Sequence, residues 1–290
     1  IIYGVVARFG LSGLLVATMM AGLFLVLLGV FRLGSVIKFI PYPIVVGFTS
    51  GIALTIFTTQ IKDFLGLHIE GAVPAGFVDK WVCYVRHLTT VSWDALAVAL
   101  STVGIIVGTQ RISKRLPGSL VAIVVTTAVV ALTNGQGWTQ IPTIGDRFGA
   151  ITASLPPVTA WQLDWHGLFT APDGSFTFST FGTLLPTALG IAVLGAIESL
   201  LSATVADGVT GDRHDSNQEL VGQGIANIVA PLFGGIPATG AIARTMTNIN
   251  NGARTCVAGL VHEAVLLVIF LVAMPLAAYI PMACLAGVLV

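Results

Sequence analysis

The sequence predicts an all-α polytopic membrane protein, and three observations carry that reading. Of its 290 residues 55% are hydrophobic and 9% charged, with a mean hydropathy of +0.94, whereas a soluble domain carries about a quarter charged residues. Apolar runs recur that are long enough, at about 1.5 Å per helical residue, to cross a hydrocarbon core of about 30 Å. Breaker residues lie inside and beside those runs, where exposed backbone is tolerated only if protein or a water-lined cavity covers it.

Taken in order, residues 11–31 form the first uncharged run and the first expected span. The second, 39–60, begins near Pro41 and Pro43 and carries Gly47 and Gly51, positions where another helix could approach closely. Residues 93–110 and 118–133 are the third and fourth, the last of them short. From 134 to 179 the chain turns polar and broken, and Trp138, Trp161 and Trp165 among its prolines and glycines suit a segment at the membrane interface. The fifth span, 180–206, carries Glu198. The sixth, 219–235, is rich in small and polar residues and runs into Gly234-Gly-Ile-Pro-Ala-Thr-Gly240, a breaker run too apolar for a surface loop. A short stretch to Asn250 and a seventh span, 254–279, follow. The closing apolar run, 282–290, is too short to cross, so both ends are expected to continue into further spans.

Charge excludes several classes. Lys plus Arg and Asp plus Glu number 13 each, which points to neither a nucleic-acid partner nor a polybasic membrane tail. Cys83, Cys256 and Cys284 lie far apart without metal-ligand spacing, so no disulfide framework, metal site or cofactor is expected. No nucleophile elbow, Walker loop, dinucleotide fingerprint or His-Glu-x-x-His is present to suggest an enzyme. Three positive charges in Arg111-Ile-Ser-Lys-Arg115 place that loop in the cytoplasm. Counting spans outward then puts Arg32, Lys38, Arg213 and Arg254 on the same side and Asp146, Asp164 and Asp173 outside.

Two features carry chemistry. A carboxylate at span depth costs several kcal/mol unless it is protonated, paired or facing water. Thr187, Gly195, Glu198 and Ser202 fall on one helical face, like the wall of a polar cavity. Glu198 is therefore either a proton or cation site, or else a partner of Arg244 or a helix-packing group. The second feature is the hand-over from the breaker run to a helix across Thr239, Gly240, Ala241, Ile242, Ala243, Arg244 and Thr245. A helix starting at membrane depth points free N–H groups and its positive dipole end into the cavity, which favours an anion. Arg244 adds a full charge there, or else snorkels to an interface or pairs. His214-Asp215 reads as a solvated turn and helix cap, and His262-Glu263 as either a proton path or a helix-interface pair.

These residues resemble the sulfate permease (SulP) family of anion transporters and exchangers. The similarity runs through Leu25-Val-Leu-Leu-Gly-Val-Phe-Arg-Leu-Gly34, Val46-Gly-Phe-Thr-Ser-Gly-Ile-Ala53 and Gln60-Ile-Lys-Asp-Phe-Leu-Gly66. It is densest in Ile197-Glu-Ser-Leu-Leu201, Val205-Ala-Asp-Gly208, Asn217-Gln-Glu-Leu220, Asn227-Ile-Val229, Gly234-Gly-Ile-Pro-Ala-Thr-Gly240 and Gly252-Ala-Arg-Thr255. The resemblance implies two inverted repeats of seven segments, divided into a core and a gate with discontinuous half-helices. On that map residues 1–290 are a partial transport domain from the end of segment 3 to the start of segment 12, without the cytoplasmic STAS domain.

It also implies a multi-pass protein of the bacterial plasma membrane, a homodimer when complete, moving a small anion by alternating access. Sulfate is the first expectation, with bicarbonate or a C4-dicarboxylate as alternatives. Thr239 to Thr245 would form the second-repeat half of the anion site, with Glu198 and Ser202 serving coupling. Sodium-coupled bicarbonate members have Asp in place of Glu198 and Thr in place of Ile242, so proton coupling or exchange is expected rather than sodium coupling. A proton-coupled nucleobase permease of the same architecture, or a membrane motor without transport, are the other readings. Cys256 and Glu263 depart from the family pattern without a physical account.

Overall fold

The computed structural model describes residues 2–35, 42–69, 71, 73, 74, 76–112, 117–149 and 179–290. Its helices, in chain order, are α1 (Ile2–Val30), α2 (Tyr42–Phe64), α3 (Phe77–Arg86), α4 (Trp93–Ile112), α5 (Gly118–Gly135), α6 (Ile144–Phe148), α7 (Ser179–Thr210), α8 (Ser216–Val229), α9 (Ile242–Asn250), α10 (Cys256–Ala277) and α11 (Met282–Leu289). No strand forms among the described residues. Segments within α1, α4, α5, α7 and α10 are long and apolar enough to cross a membrane. Residues 36–41, 113–116 and 150–178 lie outside the described residues, and with them the entrance to the second expected span, most of the basic loop, and Trp161 and Trp165.

The chain divides into two compact units, Ile1–Pro41 with Leu155–Glu263, and Tyr42–Ser154 with Ala264–Val290. In the first, α1 is two helices joined at Gly10, whose φ of 68° and ψ of −173° suit a residue without a Cβ. The longer piece reproduces the first expected span. α1 packs on α7 and α8 through Val5, Leu14, Ala17, Met20, Leu184 and Ala188, and then through Ala21, Leu25, Ala192, Leu200 and Leu220. Lipid tails are as apolar as leucine, so close packing of small residues has to hold such helices together. A Cβ on Gly22 would lie 2.6 Å from the Gly224 carbonyl oxygen, and one on Gly224 would lie 2.6 Å from the Gly22 carbonyl oxygen. The close approach expected at Gly47 and Gly51 is not made, since neither has a neighbour within 4 Å of its would-be Cβ among the described residues; α1 and α8 supply the backbone contact instead.

The sixth expected span needs correction. α8 begins at Ser216, where the Asp215 carboxylate accepts from the Asn217 and Gln218 N–H groups, and it ends at Val229. Its 14 residues reach only about 21 Å, short of a crossing. Pro231 turns the next residues into a 3₁₀ turn, Ala230–Phe233, which closes at Gly234 with φ 76°. In contrast, α7 extends over 32 residues despite Pro186 inside it.

In the second unit α11 packs into α2, α4 and α5. A Cβ on Gly287 would lie 2.8 Å from the Ala99 carbonyl oxygen, and the Thr126 hydroxyl donates to the buried Cys284 Sγ at 2.9 Å. The chain after α5 straps this unit together. Ile144 and Gly145 N–H donate to the Ile280 and Ala278 carbonyls at 2.9 and 2.8 Å, and Met282 N–H donates to the Pro142 carbonyl at 3.0 Å. Arg147 pairs with Asp63 at 2.8 Å. Trp138, on the same stretch, is 75% exposed, as a residue anchored at an interface would be.

Candidate functional site

All the described parts of the candidate site lie in the first unit. α7 presents Gly195, Glu198, Ser199 and Ser202 along one face, and the breaker run crosses that face before α9 begins. Thr239 donates its hydroxyl to the Gly195 carbonyl at 3.0 Å. Gly240 fits closely beneath it, since a Cβ there would lie 3.3 Å from Ser199 Cα and 3.4 Å from Ser202 Cβ. One turn into α9, the Thr245 and Ser202 hydroxyls are 3.0 Å apart. The structure thus brings Ser202, Thr239, Gly240 and Thr245 together.

α9 starts at Ala241, which is extended and has no side chain able to cap it. Its first intrahelical bond of this kind runs from Thr245 N–H to the Ala241 carbonyl at 3.0 Å. The Ile242, Ala243 and Arg244 N–H groups are left without an intrahelical acceptor. Arg244 is exposed and lines a cleft of about 630 Å³ with Thr239, Ala243, Thr245, His262 and Glu263.

Glu198 is half-buried, one helical turn from Gly195 and from Ser202. Among the described residues it makes no hydrogen bond or ion pair, so the Glu198–Arg244 pairing left open by the sequence is not formed. Nor do His262 and Glu263 pair; both are exposed on the cleft beside Arg244. Thr187 is half-buried two turns before Gly195 and makes no described contact with the 239–245 run.

Two contributions from α8 escaped the sequence reading. The buried Ser199 hydroxyl donates to Glu219, tying α7 to α8. Asn227, 3% exposed, donates from Nδ2 to the Ala238 carbonyl at 2.8 Å and accepts the Ala238 N–H at 3.0 Å, while Gln223 donates to the same carbonyl. The available signal was an amide inside an apolar stretch just before a breaker run, since a buried amide has to find partners. His214, expected as part of a solvated turn, is instead half-buried. Its Nδ1 lies 2.7 Å from Asp207, and its Nε2 lies 2.9 Å from the Ser216 hydroxyl. Asp215 does cap α8, as expected.

The apolar helices, the broken helix start and the polar helix face beside it belong to an all-α multi-pass membrane fold, that of transmembrane domains built on two inverted repeats of seven segments. A model described as the sulfate permease family matches residues 5–290, and the chain belongs to that family. It is 44% identical over 290 residues to a putative sulfate transporter, YvdB, of Bacillus subtilis, covering 100% of this chain and 51% of that protein. It is 36% identical over 284 residues to the bicarbonate transporter BicA of Synechocystis, covering 96% and 46% of the two. Among solved structures, the transmembrane domain of a cyanobacterial BicA matches with a TM-score of 0.80 at 35% identity, covering 99% of this chain and 69% of that one. Murine Slc26a9 in its inward-facing state matches with a TM-score of 0.75 at 20% identity over 97% of this chain and 44% of its own, a likeness of fold alone. The chain spans about half the length of the curated relatives it matches.

Proposed function

We propose that this chain carries part of the transport domain of a secondary anion transporter, with sulfate as the first substrate and bicarbonate or a C4-dicarboxylate as alternatives. One observation carries the reading: α9 starts at an uncapped Ala241 and has Arg244 in its first turn. The first turn of α9 carries unpaired N–H groups, the positive dipole end and the Arg244 side chain, and all three favour an oxyanion over a neutral solute. Sulfate and bicarbonate, the anions for which YvdB and BicA are named, are of that class.

In this account the first unit belongs to the moving core and the second to the gate, and the anion crosses by alternating access. Glu198, on the same face of α7 as Gly195 and Ser202, takes up a proton as the anion loads, which lessens repulsion in a site of low dielectric. Exchange of one anion for another is the other coupling the site allows. Arg244→Gln in the complete protein tests the anion reading by binding in proteoliposomes. Sulfate affinity should fall about tenfold or more, equivalent to about 1.4 kcal/mol; a change within about twofold would make Arg244 a structural residue.

A further inference from the structure

Between the 3₁₀ turn and α9 the backbone has neither helical nor sheet partners of its own, yet it has to hold the α9 start at a fixed depth. A polar backbone group left unpaired in a non-aqueous setting costs free energy comparable to a lost hydrogen bond. At Ala238 both backbone groups are satisfied by a single side chain. The Asn227 carboxamide donates to the Ala238 carbonyl and accepts from its N–H, at 2.8 and 3.0 Å. This is the pairing a neighbouring strand would provide. The same Nδ2 also donates to the Gln223 carbonyl at 2.9 Å, which fixes the rotamer, and Gln223 reaches the Ala238 carbonyl as well. Asn227 is buried, so water does not compete for these bonds.

We propose that Asn227, with Gln223 in support, is the positioning residue of the anion site, a clamp on α8 that sets where the free N–H groups of α9 point. The clamp rests on the anion reading given above. Ala238 lies only three residues before the Ala241 N-cap, and the intervening Thr239 and Gly240 are pinned to α7 at Gly195, Ser199 and Ser202. Two fixed points, one on each helix, leave the α9 start little freedom. Releasing the α8 point lets the N–H groups swing away from a bound oxyanion without removing any group that touches it. Asparagine suits the position chemically, because only a carboxamide offers a donor and an acceptor side by side. Leucine fills a similar volume with neither, and aspartate keeps only the acceptor.

The complete protein in liposomes, with Asn227→Ala and labelled sulfate over a range of concentrations, tests the clamp. Apparent KM should rise about tenfold or more while maximal rate stays within about twofold, the pattern of lost ground-state binding. Amide exchange at Ala238 should accelerate by more than the accompanying loss of global stability accounts for. An unchanged KM together with retained Ala238 protection overturns the proposal, and so does an equal loss of rate and affinity without altered exchange. Should Asn227→Ala fail to fold, Asn227→Leu keeps the volume and loses both donor and acceptor. It should raise KM by a similar factor, and no rise would overturn the clamp. If the wild-type protein takes up none of sulfate, bicarbonate or succinate, the anion reading falls by itself. Exchange at Ala238 then still decides the clamp, lost protection in Asn227→Ala supporting it and retained protection refuting it.

Discussion

A carboxylate and a guanidinium held within membrane-crossing structure give up much of their hydration, and a protein usually recovers that cost by pairing them. Glu198 and Arg244 do not pair with each other here. On the proposed anion-transport reading, the absence of that bridge leaves both for a third, mobile species. Outside the spans, Asp146 shows the opposite arrangement. It accepts the Thr143 N–H at 2.9 Å and the Thr143 hydroxyl at 2.8 Å, and these bonds hold its carboxyl below the ordinary carboxylate value. The bonds favour the ionised form, so their stabilising effect is complete above about pH 4, the unfolded value, and is lost as pH falls through the lowered native value. Asp146→Asn should therefore remove part of the acid sensitivity of the unfolding temperature below about pH 4. The effect should be small, because the site is exposed and screened. Indistinguishable acid profiles for the two proteins would show that the capping box adds nothing. Sequence alone marked Glu198 and Arg244, since charge in an apolar run is a local signal. It placed Ser199, Glu219 and Asn227 in family-like motifs but gave them no role, because their roles depend on partners brought together by tertiary packing.

At the scale of elements, the membrane-crossing helices are readable because 18 or more apolar residues leave one stable outcome. α3 was not, since its ten residues mix Asp79, Lys80 and Arg86 with apolar side chains and break the run on which the reading depended. α8 was placed but overextended, because its composition does not change at Val229, where Pro231 and Gly234 end it. The pairing of α1 with α8 was invisible for a different reason: Gly22 and Gly224 meet across some two hundred positions of sequence. That contact makes a sharp prediction. A methyl group on Gly224 would stand 2.6 Å from one backbone atom of α1 and 2.7 Å from another, neither of which can yield as a flexible side chain does. Overpacking of this kind costs about 1–3 kcal/mol, so Gly224→Ala should lower the unfolding temperature by several degrees. Gly222 has no neighbour within 4 Å of its would-be Cβ, and Gly222→Ala should be neutral or slightly stabilising through helix propensity. Equal behaviour of the two variants would refute close packing of α1 against α8.

For the whole molecule, the fold and the family follow from the inverted-repeat architecture and from a match that spans nearly the entire chain. The chain falls into two compact units whose boundary at Glu263 lies inside α10. Helix N-termini bind sulfate, bicarbonate and carboxylates through the same backbone groups, so choice among them is settled by transport rather than by geometry. The most direct measurement is uptake of labelled sulfate by proteoliposomes containing the complete protein, with and without an imposed proton gradient, beside bicarbonate, succinate and uracil. An oxyanion should accumulate, uracil should not, and Glu198→Gln should abolish the gradient's effect while leaving passive exchange. Uptake of uracil with no entry of any oxyanion would contradict the account.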